Sequence, residues 1–263
     1  NLSRADGTAV WRYMPKVVND DTRNWLKRGI VQGKASDAKL TLKGDLRDFP
    51  FRDKRKGEFL ITAKAQGVKV DFAPGWPAID GVEADMRFGV GMLVAAKRGR
   101  ILGTEVGPVV VQIPDFDSGE EMLLVRGDVT GPTSEFLRFI DQSPVAAKID
   151  NFTEDIRAVG NGKLDLKLEM PLRHVLDTKV AGDYQFTNNQ VNVVPGLPPL
   201  TQVNGRLQFT ENGVTARDIT AHVLGGPMKL SVKNDKDLVN VLLSGTANMR
   251  EARKTFDSPL FDY

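Results

Sequence analysis

The sequence contains few residues whose types and spacing could perform chemistry. It has no cysteine, and His174 and His222 are its two imidazoles. Without a thiol, no disulfide, thiolate metal site or cysteine nucleophile is possible, and the redox compartment stays open. Neither histidine has a second histidine at metal-ligand spacing. A Gly-x-Ser-x-Gly nucleophile elbow is also absent. These residues therefore predict neither nucleophilic catalysis nor a metal site.

Two further patterns resemble catalytic or phosphate sites only superficially. Paired carboxylates at Asp20-Asp21, Glu120-Glu121 and Glu154-Asp155 lie in polar surroundings, where solvated charge is a simpler interpretation than general acid-base work. The run Gly160-Asn-Gly162-Lys163 lacks the Gly-Lys-Ser/Thr ending of a phosphate loop and opens a strand, so it predicts a turn. We therefore predict a protein that is not an enzyme and needs no cofactor.

The charge balance excludes a typical nucleic-acid binder. The 263 residues include 36 Lys plus Arg and 34 Asp plus Glu, a formal charge of +2, which is far from a basic footprint. Two basic runs, Arg52–Lys56 and Lys97–Arg100, lie between strand-like segments. Solvated turns and contacts with lipid headgroups both remain open for them.

The chain shows no targeting or membrane-spanning segment. No run approaches the roughly 18 apolar residues of a membrane span, and the first residues do not form a signal peptide. The sequence begins without Met and ends abruptly after Phe261-Asp-Tyr263. We expect an excised piece of a longer protein, with any membrane anchor outside it.

Alternation with a period of two dominates the sequence and predicts strands with one apolar and one polar face. In Val82–Phe88, the apolar residues Val82, Ala84, Met86 and Phe88 alternate with charged ones. Similar runs recur between turn signals such as Asn212-Gly213, which predicts antiparallel meanders. Three segments break this rhythm and predict short helices, namely Pro15 to about Arg28, Pro132 to about Gln142, and roughly Asn248 to Lys254.

One pattern occurs twice at a fixed spacing, which indicates an internal repeat. The stretch Pro74–Phe88 is matched 121 residues later (74 to 195) by Pro195–Phe209. The matched residues are Pro74, Gly75, Pro77, Val82 and Phe88 with Pro195, Gly196, Pro198, Val203 and Phe209. The sequence thus predicts one β unit at residues 1–131 with its helix at 15–28, a connecting helix at 132–144, and a second unit at 145–263 with a short C-terminal helix.

A length estimate shows that the apolar face exceeds its cover. About fifteen strands at a spacing of roughly 4.8 Å give a sheet about 70 Å wide. Three helices, each about 10 Å across, would cover less than half of that width. The remaining face must close on itself or be lined by something that is not this chain. The strand aromatics are accordingly either core residues or the lining of an open groove.

Several motifs, in this order, resemble the central region of the YhdP family of AsmA-like, TamB-related bacterial envelope proteins. They are Leu46-Arg-Asp-Phe-Pro-Phe51, Ile113-Pro-Asp115, Phe139-Ile-Asp-Gln-Ser-Pro144, Gly160-Asn-Gly162, Thr178-Lys-Val-Ala-Gly-Asp-Tyr184, Leu197-Pro-Pro-Leu200, Asn204-Gly-Arg-Leu-Gln-Phe-Thr-Glu211 and Leu224-Gly-Gly-Pro227. The resemblance covers the chain from about Trp11 to Met249.

The resemblance implies a mainly β fold, an extended, curved antiparallel sheet that forms a U-shaped groove of repeated meanders with about three short helices. It also implies a periplasmic segment of a Gram-negative inner-membrane-anchored protein that carries phospholipid acyl chains toward the outer membrane and supports its permeability barrier. The implied partners are phospholipid acyl chains, adjoining repeats and the inner membrane, reached through an anchor absent from this segment.

Alternation then selects the residues that would line the groove, and a second interpretation stays open. The candidate lining residues are Phe59, Ile61, Val70, Phe72, Met86, Phe88, Leu166, Leu168, Phe186, Val193, Leu207 and Phe209. The alternative is a structural or protein-interaction β-module whose apolar faces pack into a closed core and bind no lipid.

Overall fold

The structure is a computed structural model that describes residues 2–13, 20–235 and 238–255. Strands make up most of the described chain. They are Leu2–Asp6 (β1), Ile30–Gly44 (β2), Gly57–Val70 (β3), Ile79–Phe88 (β4), Met92–Ile101 (β5), Thr104–Val106 (β6), Val109–Ile113 (β7), Met122–Pro132 (β8), Arg157–Pro171 (β9), Lys179–Asn192 (β10), Leu200–Thr210 (β11), Gly213–Val223 (β12), Gly226–Asp235 (β13) and Leu238–Gly245 (β14).

These strands follow one another in a single 14-stranded sheet. Hydrogen-bonded neighbours run in chain order from β1 to β14, except that β6 pairs with β5 beside the main path. The paired strands are antiparallel, so short turns suffice to connect them. The predicted mainly β fold, an open antiparallel sheet of meanders with few helices, is confirmed.

The helices lie near the predicted positions, with one addition. They are Asp20–Gly29 (α1), Thr133–Asp141 (α2), Val145–Lys148 (α3) and Met249–Thr255 (α4), with 3₁₀ turns at Gly7–Tyr13, Leu46–Asp48 and Val175–Asp177. The first part of the predicted helix from Pro15 lies outside the described residues. The one-turn helix α3 was not predicted; it follows Ser143, whose hydroxyl donates to the Ile140 carbonyl and accepts from the Val145 amide. No helix in the described ranges is long and apolar enough to cross a membrane.

The chain divides into two compact units. The first unit comprises Asn1–Val129 with Leu166–Lys179, and the second comprises Thr130–Asp165 with Val180–Tyr263. Strands β2 to β7 belong entirely to the first unit, and β11 to β14 belong entirely to the second.

Both units contain the same strand register, including its irregularities. In each, one strand pair contains two successive β-bulges, which insert an extra residue on one strand and then on the other. The corresponding partners are Ala65–Ala84, Val68–Val82 and Val70–Ile79 in the first unit, and Phe186–Gly205, Asn189–Val203 and Val191–Leu200 in the second. Each member of the second set follows its counterpart by 121 residues.

The bulges place matched residues in the left-handed region of backbone space. Gly67 and Asn188 have φ of 57° and 49°, and Gly81 and Gln202 have φ of 63° and 51°. Glycine and asparagine tolerate this region best, and they occupy three of these four positions. Because the two bulges compensate each other, the residues beyond them stay on the same face of the sheet.

The repeated proline-glycine stretch is a type II turn in both units. The Trp76 amide donates to the Ala73 carbonyl, and the Leu197 amide donates to the Val194 carbonyl. Proline occupies the second position of each turn, and the glycines at the third, Gly75 and Gly196, have φ of 79° and 85°. That geometry requires positive φ at the third position, which explains the Pro-Gly pair. Each turn connects two adjacent strands and redirects the chain.

Candidate functional site

The first unit carries a continuous apolar face. Residues directly opposite each other in an antiparallel pair point to the same side, so the register defines this face. One row across the strands is Leu40, Ile61, Phe88, Met92 and Ile113. The next row is Ala63, Met86, Val94, Val111 and Val125. We call this surface the first apolar face.

The first apolar face is incompletely covered. Its buried members in these strands are the small residues Ala65 and Ala84, whereas the larger ones named above keep part of their surface in solvent. Leu40 and Leu42 are 59% and 51% exposed. A packed core would enclose side chains of this size, because apolar area left in water forgoes about 25 cal/mol per Å².

One end of the first apolar face carries an aromatic cluster. The ring of Phe49 lies 6.0 Å from that of Phe51 and 5.1 Å from that of Phe59. Phe51 is buried against the backbone of Gly44 and Gly57, where an added Cβ would lie 2.7 Å and 2.5 Å from its ring. The two glycines are therefore required by this close approach.

Arginine ion pairs brace the loops at the same end. Arg52 binds Asp115 at 2.9 Å and Asp117 at 3.2 Å, which joins the β2–β3 loop to the β7–β8 loop. The hydrogen bond from Arg52 lowers the pKa of Asp115. Arg173 binds Glu121 at 2.6 Å and lowers its pKa to about 2. Both carboxylates are structural partners of arginine.

The opposite face of the first unit is polar, and several of its charges are paired. Lys64 binds Asp37 at 2.8 Å, Lys97 binds Asp85 at 2.8 Å, and Arg98 binds Glu83. Of the two interpretations left open for Lys97–Arg100, the turn is wrong. The segment lies inside β5, where acidic residues of β4 stand beside its cations. The Arg52–Lys56 segment does form a loop, in which Arg55 binds Asp53 and Lys56 binds Asp48.

The second unit has an apolar face of the same register with a buried centre. Val203, Ala216, Ile219, Ala221 and Val232 form a buried cluster, against which Phe186, Leu207 and Leu230 pack. At the β14 edge the apolar residues are exposed again, with Val239, Val241 and Leu243 each more than two-fifths accessible. We call this surface the second apolar face.

Helix α2 is fixed to the second apolar face by a buried polar network. The ring of Phe136 meets that of Tyr184 edge-on at 5.0 Å. The Tyr184 hydroxyl donates to Thr133 Oγ1 at 2.8 Å, and Thr133 in turn donates to Asn189 Oδ1. Asn189 is fully buried, and its amide nitrogen donates to the carbonyls of Asn161 and Thr187 at 2.7 Å and 3.1 Å. Burial raises the pKa of Tyr184 to about 12.

The run Gly160-Asn-Gly162 lies in contact with the side chains of this network. A Cβ at Gly162 would lie 2.1 Å from the Tyr184 hydroxyl oxygen, and one at Gly160, whose φ is 116°, would lie 2.9 Å from Asn189 Cγ. The segment was predicted to be a turn, but it lies inside β9. Its glycines are needed for close side-chain approach. Spacing alone could not reveal this, because Tyr184 and Asn189 belong to the next strand.

The predicted groove residues fall into separate groups. Phe59, Ile61, Met86 and Phe88 lie together on the first apolar face, and Val70 lies farther along it, opposite Ile30 and Ile79. Phe72 follows the end of β3 and lies 5.8 Å from the ring of Trp76. Leu166 and Leu168 are half-buried alternate residues of β9.

The remaining predicted residues belong to the second unit. Phe186 and Leu207 pack on its buried cluster, and Phe209 lies over Gly182, where a Cβ would come within 2.1 Å of its ring. Val193 lies just past the end of β10 and is 38% exposed.

Neither histidine belongs to a group of side chains that could bind a metal ion in the described ranges. In the described ranges, no group of three or more His, Asp or Glu side chains is placed to hold a metal ion. His222 lies in β12 opposite Thr201, whose hydroxyl donates to the His222 carbonyl at 3.2 Å. His174 lies in the loop after β9.

The chain matches known proteins in sequence over nearly its whole length. The family model described as YhdP protein matches residues 1–263. The intermembrane phospholipid transporter YhdP of Escherichia coli (strain K12) is 24% identical over 256 residues, which cover 96% of this chain and 20% of the relative. The chain thus spans about a fifth of the length of that relative. No solved structure matches this chain. With a family match over its whole length, this chain belongs to the YhdP family.

Proposed function

We propose that this chain is a non-enzymatic segment of a protein that moves phospholipids between the inner and outer membranes. Its apolar faces shelter acyl chains, and the polar faces meet the periplasm. By supplying the outer membrane with lipid, the whole protein supports the permeability barrier. The observation that carries this proposal is the first apolar face, where large apolar side chains remain partly exposed across several strands.

The dimensions of the first apolar face suit an acyl chain. From β2 across to β7 the five strands span about 19 Å, and the seven residues from Phe59 to Ala65 extend about 20 Å along β3. One acyl chain occupies half of a hydrocarbon core, or about 15 Å. Sheltering it stabilises the complex by about 0.8 kcal/mol for each buried CH₂. Such contacts are non-directional, so headgroup selectivity is expected to be small.

The proposed lining consists of the twelve residues predicted from alternation, with Phe59, Ile61, Met86 and Phe88 as its central group. The segment is proposed to lie in the periplasm, in a protein anchored in the inner membrane through a part outside this chain. The relative's description as an intermembrane transporter supports this location. Adjoining repeats of the full-length protein would continue the lining.

The test replaces adjacent lining residues by charged ones. Met86→Glu with Phe88→Glu places two carboxylates on the first apolar face. We expect lipid co-purification, measured by mass spectrometry of an organic extract, to be lost while the circular dichroism of the sheet is retained. Arg87→Glu is the matched control, since it changes the net charge equally on the same strand but on the polar face. Unchanged lipid content in the double variant would refute the lining assignment.

The alternative function is a structural or protein-interaction module without lipid. The buried cluster of the second unit favours this interpretation there, because Val203, Ile219 and Ala221 are enclosed by protein. Photo-crosslinking residues at Phe88 and Phe209 separate the two functions. A lipid adduct at Phe88 supports the groove, whereas a closed core gives no adduct at either position.

The repeat organisation is part of the same proposal. We propose a first groove unit at residues 1–131, a connecting helix at 132–144, and a second groove unit at 145–263, offset by about 121 residues. The shared register of the two bulged strand pairs supports a duplicated unit.

A further inference from the structure

The polar face of the second unit contains an unfavourable charge arrangement. Arg206 of β11 lies directly opposite Arg217 of β12. The two side chains share the face opposite to Leu207 and Ala216, and both residues are exposed. Like charges directly opposite each other in a sheet are destabilising. This arrangement therefore costs folding free energy that needs a compensating reason.

The first unit solves the same positions differently. In the register of the first unit, Asp85 occupies the position of Arg206 and Ala95, its cross-strand partner, occupies the position of Arg217. The neighbouring pair Glu83–Arg98 of the first unit corresponds to the neutral pair Asn204–Thr220. Equally, Lys64 opposite Asp85 corresponds to Gln185 opposite Arg206. The second unit lacks acidic partners at positions where the same register accommodates them in the first unit.

Two lysines extend the positive charge onto the next strand. Lys229 lies opposite Thr220 on the polar face. Val232 pairs with Ala216 on the apolar face, so the next residue, Lys233, lies on the polar face. None of the four cations forms an ion pair with another described residue. Asp183, on the same face, accepts a hydrogen bond from Gln208 at 3.2 Å, and Asp218 follows Arg217 at a bulge.

We propose that this polar face is a docking surface for an acidic protein, whose carboxylates bind at Arg206 and Arg217 with Lys229 and Lys233 beside them. Guanidinium groups bind carboxylates in a bidentate manner, and the exposed hydroxyls of Thr215 and Thr220 supply further hydrogen bonds.

The size of the face suits a protein partner. Strands β10 to β14 span about 19 Å across, and ten residues extend about 31 Å along them. The resulting area of roughly 590 Å² is about three quarters of the ~800 Å² that each partner buries in a standard interface. The inference does not depend on lipid in the groove, which lies on the other face.

The test uses the whole chain and a fluorescently labelled oligoglutamate peptide as probe. We expect anisotropy to report binding that weakens as salt is raised, and Arg206→Gln with Arg217→Gln to weaken it about tenfold. Tenfold corresponds to about 1.4 kcal/mol, or two exposed charge pairs near the upper end of their usual range. Lys39→Gln with Arg87→Gln is the matched control, since it removes two charges from one row of the polar face of the first unit.

Several outcomes distinguish this proposal from its competitors. Wild-type affinity in the Arg206/Arg217 variant would overturn it, and an equal loss in the control would show that net charge alone attracts the probe. Binding to phosphatidylglycerol vesicles that oligoglutamate does not compete away would assign the face to a membrane instead. Thermal unfolding checks the fold: relief of the like-charge pair is expected to raise the melting temperature of the variant, so lost binding cannot be attributed to unfolding.

Discussion

Replacing Asn189 by valine tests whether the buried polar network holds α2 on the second apolar face. Valine is the residue that the first unit carries at the matching place, Val68, which packs against Gly33 as Asn189 packs against Gly160. The change therefore keeps a side chain of similar size. It removes the acceptor of the Thr133 hydroxyl and the donor to the Asn161 and Thr187 carbonyls.

The expected loss follows from the groups left without partners. A buried donor or acceptor without a hydrogen bond costs about 1–3 kcal/mol. The Thr133 hydroxyl is buried, whereas the two carbonyls are only partly so, and we therefore expect a total of about 3 kcal/mol. For a chain of this length each kcal/mol shifts the melting temperature by about 2–4 °C, which gives a decrease of roughly 6–12 °C.

Thermal unfolding followed by circular dichroism measures the loss, and hydrogen exchange locates it. Peptides that cover α2 should exchange faster in the variant, because the helix start is held through Thr133. Gln190→Val is the matched control: Gln190 is exposed on the same strand and should change the stability by less than about 0.5 kcal/mol. Thr133→Val combined with Asn189→Val should cost less than the sum of the single changes, since it removes both partners. A stability of Asn189→Val within 0.5 kcal/mol of the wild type would refute the reasoning.

Two further predictions concern the first unit's loops and the repeated turn. Arg173 lowers the pKa of Glu121 to about 2, so the stability that the Glu121 carboxylate contributes is present above about pH 4.5 and is lost as the pH falls toward 2. Glu121→Gln should therefore flatten the pH dependence of the melting temperature between these pH values. An unchanged profile would contradict the ion pair. Gly196→Ala should lower the free energy of unfolding by about 1 kcal/mol through backbone strain alone, since φ is 85° and no neighbouring atom lies within 4 Å of the added Cβ. A change below about 0.3 kcal/mol in urea unfolding would contradict the type II turn.

The parts of the fold that depend on local pattern could be predicted from the sequence. Alternation identified Val82–Phe88 as a strand with Met86 and Phe88 on one face, and the register places them so. The spacing of Pro74 and Pro195 revealed a repeat whose bulges and turns share one geometry. These features follow from side-chain period and turn chemistry, which neighbouring residues determine.

The parts that depend on contacts between strands escaped prediction. Gly160 and Gly162 suggested a turn, although their small size serves Asn189 and Tyr184 more than twenty residues later. For the basic segment Lys97–Arg100 a turn was one of the two open interpretations, because its acidic partners Asp85 and Glu83 lie on another strand and could not be identified from local sequence. Whether an apolar face is covered is likewise a tertiary property: Ile61 and Phe186 occur in equally alternating sequences, but only Phe186 packs on a buried cluster.

The matched registers also constrain how such a chain can change in length. Phe88 and Phe209 differ by 121 positions, whereas Met92 and Val214, their partners across the next hairpin, differ by 122. The extra residue of the second unit thus lies in the hairpin between β11 and β12. Inside a strand, a single insertion would turn every following side chain to the other face unless a compensating bulge accompanied it. Hairpins are therefore where length can drift by one residue, while insertions within the strands are expected only as compensated pairs.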